Sequence, residues 1–282
     1  MDLRIIFSDN GTLRDLTSNL LNYKAGSELF DYTVNEDSLF IGVRFPLNSL
    51  HFKFDTPNTE TASIAVKYWN GVEFLPMAEV IDGTESTGAA LSQNGFIDWT
   101  PDKQQAFKRD DTVHSQTNEK VTGLGNIAIY DRFWYKIDFD ATLSIDTELS
   151  WIGTYFNEDA DMYDEYPILN DSQIMTRFET GKTSWEAQAV RAADLIVADL
   201  VKSNIIQSGN QLLYRRELKE ASVCKTAEII FGAFGDDFKD DKAAARKEYN
   251  SRIKKDIFVT DKDSDGRVDE VEVTFRQGNL VR

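Results

Sequence analysis

The amino-acid sequence predicts an α+β protein: an N-terminal antiparallel β-sandwich followed by a C-terminal helical bundle with a terminal β-hairpin. Three observations predict it. Over about residues 28–156, short runs rich in Phe, Ile, Val, Tyr and Trp recur between turn residues. From about residue 183 the apolar spacing becomes helical. At the end, IFVT and VEVTFRQ are β-rich again and flank an aspartate-rich stretch.

Composition sets the bounds. With 282 residues, 41% hydrophobic and 28% charged, the chain has material for one large or two ordinary domains, each with a core. Its single cysteine, Cys224, allows no intrachain disulfide, so stability must come from packing or assembly. We expect no membrane span and no signal peptide, since no run is long and apolar enough and MDLRIIFSDNG lacks an apolar core. A formal net charge of −17 argues against a general grip on nucleic acid, because phosphate binding needs a basic face. Two histidines, His51 and His114, leave little for histidine-based catalysis or zinc.

Taken in order, the expected strands are LFIGVRFPL, HFKFDT, ASIAVKYW, FIDWT, YDRFWYKIDF and ATLSIDTEL. In SIAVKYW, Ile64, Val66 and Tyr68 alternate with Ala65, Lys67 and Trp69, the period of a half-buried antiparallel strand. Asn70-Gly71, Asp82-Gly83 and Asn94-Gly95, with Pro46, Pro57, Pro76 and Pro101, punctuate the runs as turns. The N-terminal LRIIFS is a further strand, paired either within its own domain or with a neighbouring subunit. The acidic, irregular GTYFNEDADMYDEYPILNDSQ holds the domain boundary, and its NEDADMYDEY reads as a solvated linker, with a second cation site or a partner-facing acidic patch as the sharper alternatives. Thr183-Ser184-Trp185-Glu186 has capping-box spacing and opens a helix in which Val190, Ala193, Leu195, Val197, Leu200 and Val201 recur on one face. A second helix covers about 215–234, with Leu218, Val223, Ala227 and Ile230 or Phe231 on one side and Cys224 as a buried structural thiol. A third covers 239–255. The expected domains are therefore a sandwich over 1–160, an acidic linker over 161–182 and a helical domain with its hairpin over 183–282.

Between the last two strands lies DKDSDGRVDEVE, which fits the calcium-loop pattern D-x-D-x-D-G-x5-E. Asp261, Asp263 and Asp265 take its first, third and fifth positions, and Gly266 permits the sharp turn. Arg267 would offer its backbone carbonyl, and Glu272 would close the sphere with two oxygens. The carboxylates of Asp261, Asp263, Asp265, Asp269 and Glu272 repel one another unless a cation lies among them. The bland alternative is a charged hairpin turn around Asp265-Gly266. Because β-like flanks cannot reorient as paired helices do, a Ca2+ held here would brace structure and would not act as a sensor.

Several fixed residues carry a resemblance. Leu39, Ile41, Gly42, Pro46, Asn48, Tyr68-Trp69-Asn70-Gly71, Asp82-Gly83-Thr84, Gly95 and Trp99, with the returning strand FWYKIDFDATLS, match a β-sandwich module of tailed-phage structural proteins over about residues 38–145. The last third resembles, in its order of elements more than in fixed residues, the head-to-tail connector adaptors of tailed phages. The residues carrying that likeness are the helix from Trp185, the helix to Phe234, the helix bearing Tyr249 and the stretch DKDSDGRVDEVEVTFRQGNLVR.

The resemblance implies a virion structural protein without enzymatic activity, assembled in the host cytoplasm and sited at the neck. There it would form a dodecameric ring with copies of itself, contact the portal protein and tail or neck proteins, and let DNA pass without specific binding. No G-x-S-x-G, H-E-x-x-H or phosphate-cradling loop argues for an enzyme. A different expectation is a tail or baseplate protein whose sandwich binds host-surface carbohydrate through exposed rings among Tyr68, Trp69, Trp99, Trp134 and Trp151, set against ordinary core packing of those rings.

Overall fold

A computed structural model describes residues 3–23, 26–102, 104–105, 132–212, 215–255, 258–259 and 273–274. The chain divides into two compact units, the first ending at Gly153 and the second beginning at Thr154. The fold class is the one expected: two antiparallel sheets precede a set of helices.

The first unit contains β1 (Leu3–Asp9), β2 (Thr12–Asp15), the short helix α1 (Thr17–Leu20), β3 (Glu28–Leu29), β4 (Ser38–Val43) and β5 (Ser49–Thr56). It continues with β6 (Ile64–Trp69), β7 (Phe74–Pro76), β8 (Ala78–Asp82), β9 (Gly95–Thr100), β10 (Phe133–Phe139) and β11 (Glu148–Gly153). One sheet has the order β2-β1-β4-β10-β6-β7 and the other β3-β11-β5-β9-β8. Alternation explains the core between them. From the first sheet Ile5, Phe7, Leu39, Ile41, Val66 and Ile137 point inward, and from the second Leu50, Phe52, Ile97, Leu149 and Ile152 meet them. Removing a side chain such as Phe7 or Phe52 from water contributes roughly 1.5–3 kcal/mol each.

One strand expectation is resolved and another changes. LRIIFS becomes β1 and pairs on both sides, with β2 and with β4, so its edges are used inside its own sheet. The run ATLSIDTEL does not form a strand until Glu148. Before that, Ser144 is drawn into hydrogen bonds with the buried Asn58, whose Oδ1 accepts from Ser144 N at 2.9 Å, and Thr147 N turns back to Ser144 O at 3.0 Å.

The second unit holds α2 (Asp159–Glu165), a 3-10 turn (Pro167–Asn170), α3 (Ser172–Phe178), α4 (Glu186–Lys202), α5 (Lys219–Ala233) and α6 (Lys239–Lys255). Then come β12 (Phe258–Val259) and β13 (Val273–Thr274), which pair antiparallel. α5 is the central helix, buried on several sides through Ala221, Val223, Ala227, Ile230 and Phe231, and it packs against α2, α4 and α6.

The acidic linker expected over 161–182 is corrected. That segment is helical and supplies core: Met162, Leu169 and Met175 are buried with Trp185, Val223 and Phe231. Its acids conceal this in the sequence, because each short helix buries a single apolar residue among many polar ones. The expected capping box at Thr183 is also absent. Trp185 is the residue preceding α4, and the Ser184 hydroxyl accepts from Glu186 N at 3.0 Å. The buried face of α4 runs through Ala189, Ala192, Ala193, Ile196 and Leu200; of the expected stripe Ala193 and Leu200 are buried, Val190, Leu195 and Val197 are half-buried and Val201 is exposed. Small alanines carry little hydrophobic signal, so the larger valines drew the expected stripe towards the flank of the true face.

Candidate functional site

The residues expected to ligate calcium, Asp261, Asp263, Asp265, Arg267, Asp269 and Glu272, lie outside the described residues, as does His114. The described flanks are strands: Phe258 pairs with Thr274 and Val259 with Val273, so the chain enters and leaves the intervening segment along antiparallel partners. Among the described residues, no group of three or more His, Cys, Asp or Glu side chains is placed to hold a metal ion. No described helix is long and apolar enough to cross a membrane.

Three carboxylates of NEDADMYDEY, those of Asp159, Asp161 and Glu165, are engaged by protein groups. Asp159 Oδ1 accepts from Trp185 N at 2.9 Å, and Asp161 accepts from Glu158 N at 3.0 Å and from Lys219 Nζ at 2.9 Å. Glu165 holds Arg252 through two hydrogen bonds of 2.6 and 2.8 Å. The guanidinium is raised in pKa chiefly by that pairing. These acids tie α2 to α4, α5 and α6, which is a structural use. Beside them Cys224 is buried, and burial pushes its thiol up to about 11. At neutral pH it is therefore a thiol and a poor nucleophile.

The ring-stacking expectation fails on burial. Tyr68, Trp69 and Trp99 are each 4% exposed, Trp134 1% and Trp151 3%. Tyr68 and Trp99 lie in the core between the sheets, and Trp69 and Trp134 form a second apolar cluster with Ile6 and Phe40. Trp151 meets Tyr23 edge-on and His51 at a tilt.

Several residues that carried the sandwich resemblance have structural uses. A Cβ on Gly42 would lie 2.6 Å from the Trp134 ring, so only glycine lets that ring cross β4. A Cβ on Gly95 would strike the Gly83 carbonyl, and one on Gly83 would lie 2.6 Å from Phe96 O, so these two backbones touch directly. Asp82 Oδ1 closes its own turn by accepting from Thr84 N at 2.8 Å and Thr84 Oγ1 at 2.6 Å. Asn70 Oδ1 likewise accepts from Val72 N and Glu73 N, both at 2.8 Å. Asn58, 1% exposed, joins three segments by donating to Glu60 O and Ala90 O and accepting from Ser144. No sequence signal marked it.

A cleft of about 800 Å3 opens on the outer face of the β1-containing sheet. Its floor follows from register. Asp138 on β10 continues the antiparallel ladder beside Ser38 on β4 and lies opposite Ala65 on β6, and Lys136 lies opposite Phe40 and Lys67. Lys67 Nζ and Lys136 Nζ converge on Asp138 Oδ2 at 2.8 and 3.2 Å, while Ser38 Oγ donates to Asp138 Oδ1 at 2.9 Å. At the rim Asp37 is fixed by two backbone donors, Asn10 N at 2.8 Å and Thr33 N at 2.6 Å. Asn35 and Glu36 are exposed there, and their side chains make no hydrogen bond among the described residues. Lys67 and Lys136 are visible in the sequence only as the polar half of an alternation. Their meeting at Asp138 depends on strand pairing that no local pattern encodes.

No protein-family model matches the chain, and no curated protein matches it.

Proposed function

We propose that this chain is a non-enzymatic virion structural protein of a tailed phage: a subunit of the head-to-tail connector ring that joins portal to tail at the neck. The observation that carries the reading is the order of elements in the second unit, in which α4, α5 and α6 are followed by an antiparallel strand pair. That is the arrangement implied by the resemblance of residues 185–282 to connector adaptors. Several residues that carried the sandwich resemblance have structural uses, which suits a role in building a particle. The net charge of −17 supports a conduit through which DNA slides without sticking, since like charge repels phosphate.

A connector subunit must present two complementary surfaces that close by rotation into a ring. The test is native mass spectrometry of the full chain mixed with its portal, followed by a cryo-electron reconstruction of the virion neck. A closed ring on the portal, dodecameric by the resemblance, is the expected result. A chain that stays monomeric with portal present and is found in the baseplate or fibres would overturn the reading.

In this reading the loop Asp261–Glu272 braces the terminal strands by holding Ca2+ through the side chains of Asp261, Asp263, Asp265 and Glu272, the carbonyl of Arg267 and support from Asp269. Ligand binding to the folded state alone stabilises by mass action, about 2.7 kcal/mol when free ligand is a hundredfold above the dissociation constant. Calcium should therefore raise the thermal midpoint, chelator should reverse it, and Asp261→Asn with Asp263→Asn should abolish the response. A midpoint indifferent to calcium would assign the loop to a charged turn.

A further inference from the structure

We propose that the cleft on the outer face of the first sheet is a binding site for a neutral oligosaccharide, an activity that the connector reading neither requires nor supplies.

Size comes first. A recess of about 800 Å3 is within the range of small-ligand sites, roughly 300–1,000 Å3. Charge then narrows the ligand. Four carboxylates, Glu36, Asp37, Asp138 and Asp140, line it against two ammoniums, Lys67 and Lys136, so an anion meets net repulsion. A bare metal ion is no better served. Among the described residues no three acidic side chains converge to hold one, and Asp138 already meets two lysines and a serine while Asp37 accepts from two backbone N–H groups.

What the cleft offers is a mixture of donors and acceptors. Each lysine has three N–H donors and directs one at Asp138, leaving others for the recess. The unengaged side chains of Asn35 and Glu36 add a donor and acceptors at the rim. Asp140 Oδ1 accepts from Ser63 N at 2.6 Å, with its second oxygen left over. A sugar hydroxyl both donates and accepts, so a polyol can satisfy both kinds of group, whereas an anion accepts only. The groups are also held in place. The floor is fixed by the sheet register and the Lys–Asp–Lys contacts, and Asn35 occupies a left-handed backbone position at φ 64° that sets the rim. The aromatic residues that line the recess, Tyr32, Phe40 and Phe139, are only 1%, 2% and 4% exposed, so there is no open ring to stack on. The site should therefore bind weakly and by hydrogen bonds, with a dissociation constant on the order of 1 mM for one short glycan. Many copies on a particle would raise the effective strength.

The experiment uses the full chain. A panel of neutral tri- and tetrasaccharides, sialylated and uronate-containing glycans and inorganic phosphate is screened by saturation-transfer-difference NMR, and binders are titrated. Saturable binding of one or more neutral glycans is expected. It should weaken about tenfold or more in Lys136→Met and in Asn35→Gly with Glu36→Gln. The second variant sits on an exposed turn and reads out the site even if Lys136→Met fails to fold. Binding restricted to acidic glycans or phosphate, binding indifferent to both variants, or no binding of any neutral glycan would each overturn the proposal.

Discussion

Compared side by side, the sandwich and the helical unit use their polar residues for opposite tasks. In the sandwich, polar and glycine positions fix the backbone. Asn58 ties loops together, Asp82 and Asn70 close turns, and Gly42, Gly83 and Gly95 allow ring or backbone to pass where no Cβ fits. In the helical unit the backbone is satisfied by the helices themselves, and polar side chains join one helix to the next. Asn157 Oδ1 accepts from Ser222 Oγ at 2.6 Å and Thr226 Oγ1 at 3.1 Å, Tyr249 OH donates to Asp199 at 2.7 Å, and Arg252 grips Glu165. A strand sandwich depends on irregular connections that need such residues at defined points. A bundle needs only that its faces meet, and many residue types can arrange that.

The largest expected effect tests whether residues 159–178 belong to the bundle. Met162 is fully buried against α5, so Met162→Ala leaves a cavity and should cost about 3 kcal/mol. The readout is hydrogen exchange resolved by peptide, because a chain of two units need not unfold in one step. Amides of α5 should lose protection while those of β4 and β10 keep theirs. Unchanged protection in α5 would return the segment to the status of a solvated linker.

Next is the sandwich's own vulnerability. Gly95→Ala places a methyl group against the Gly83 carbonyl, and backbone cannot step aside as a side chain can. Overpacking of this kind costs about 1–3 kcal/mol, and here we expect the upper end. Gly11→Ala is the control. Its φ of 80° is unfavourable for alanine, but nothing lies within 4 Å of the added Cβ, so the loss should be about 1 kcal/mol. Equal losses at the two sites would show that conformation, and not contact, sets the cost at Gly95.

This contrast explains what the sequence made legible. The strands β4, β5, β6 and β9 could be read because runs of aromatic and β-branched residues stand there between Gly, Asn and Asp turns, whereas β7 and β8, short and mostly unburied, could not. The third helix, Lys239–Lys255, was delimited correctly by its helix-favouring composition. The acidic helices were missed because a helix contributing Met162, Leu169 and Met175 to a core shows only one apolar residue in several. The phase of α4 was read at Ala193 and Leu200 and missed elsewhere, because alanines mark much of its buried side. The outer-face cleft was not readable at all. Lys67 and Asp138 are 71 residues apart, and only the β6–β10 register brings them together.

The smallest effect concerns Cys224, and it separates a buried thiol that merely fills space from one poised to react. Burial raises its pKa to about 11, with the Tyr166 hydroxyl 3.7 Å from the sulfur. The folded state thus holds the thiol proton more tightly than the unfolded chain, where a cysteine titrates near 8.5. The stability this contributes is fully present below the unfolded value and is lost as pH rises through about 11. Urea midpoints of the wild-type chain should fall between pH 8 and pH 10.5 by more than those of Cys224→Ala, which has no thiol to ionise. At pH 8 the native thiol should react with a disulfide reagent far more slowly than the urea-unfolded chain. Rapid labelling of the folded protein would mean that α5 opens at Cys224. The bundle would then be the looser of the two units at the contact of Glu165 and Arg252 beside it, reversing the view of those polar links as its fastenings.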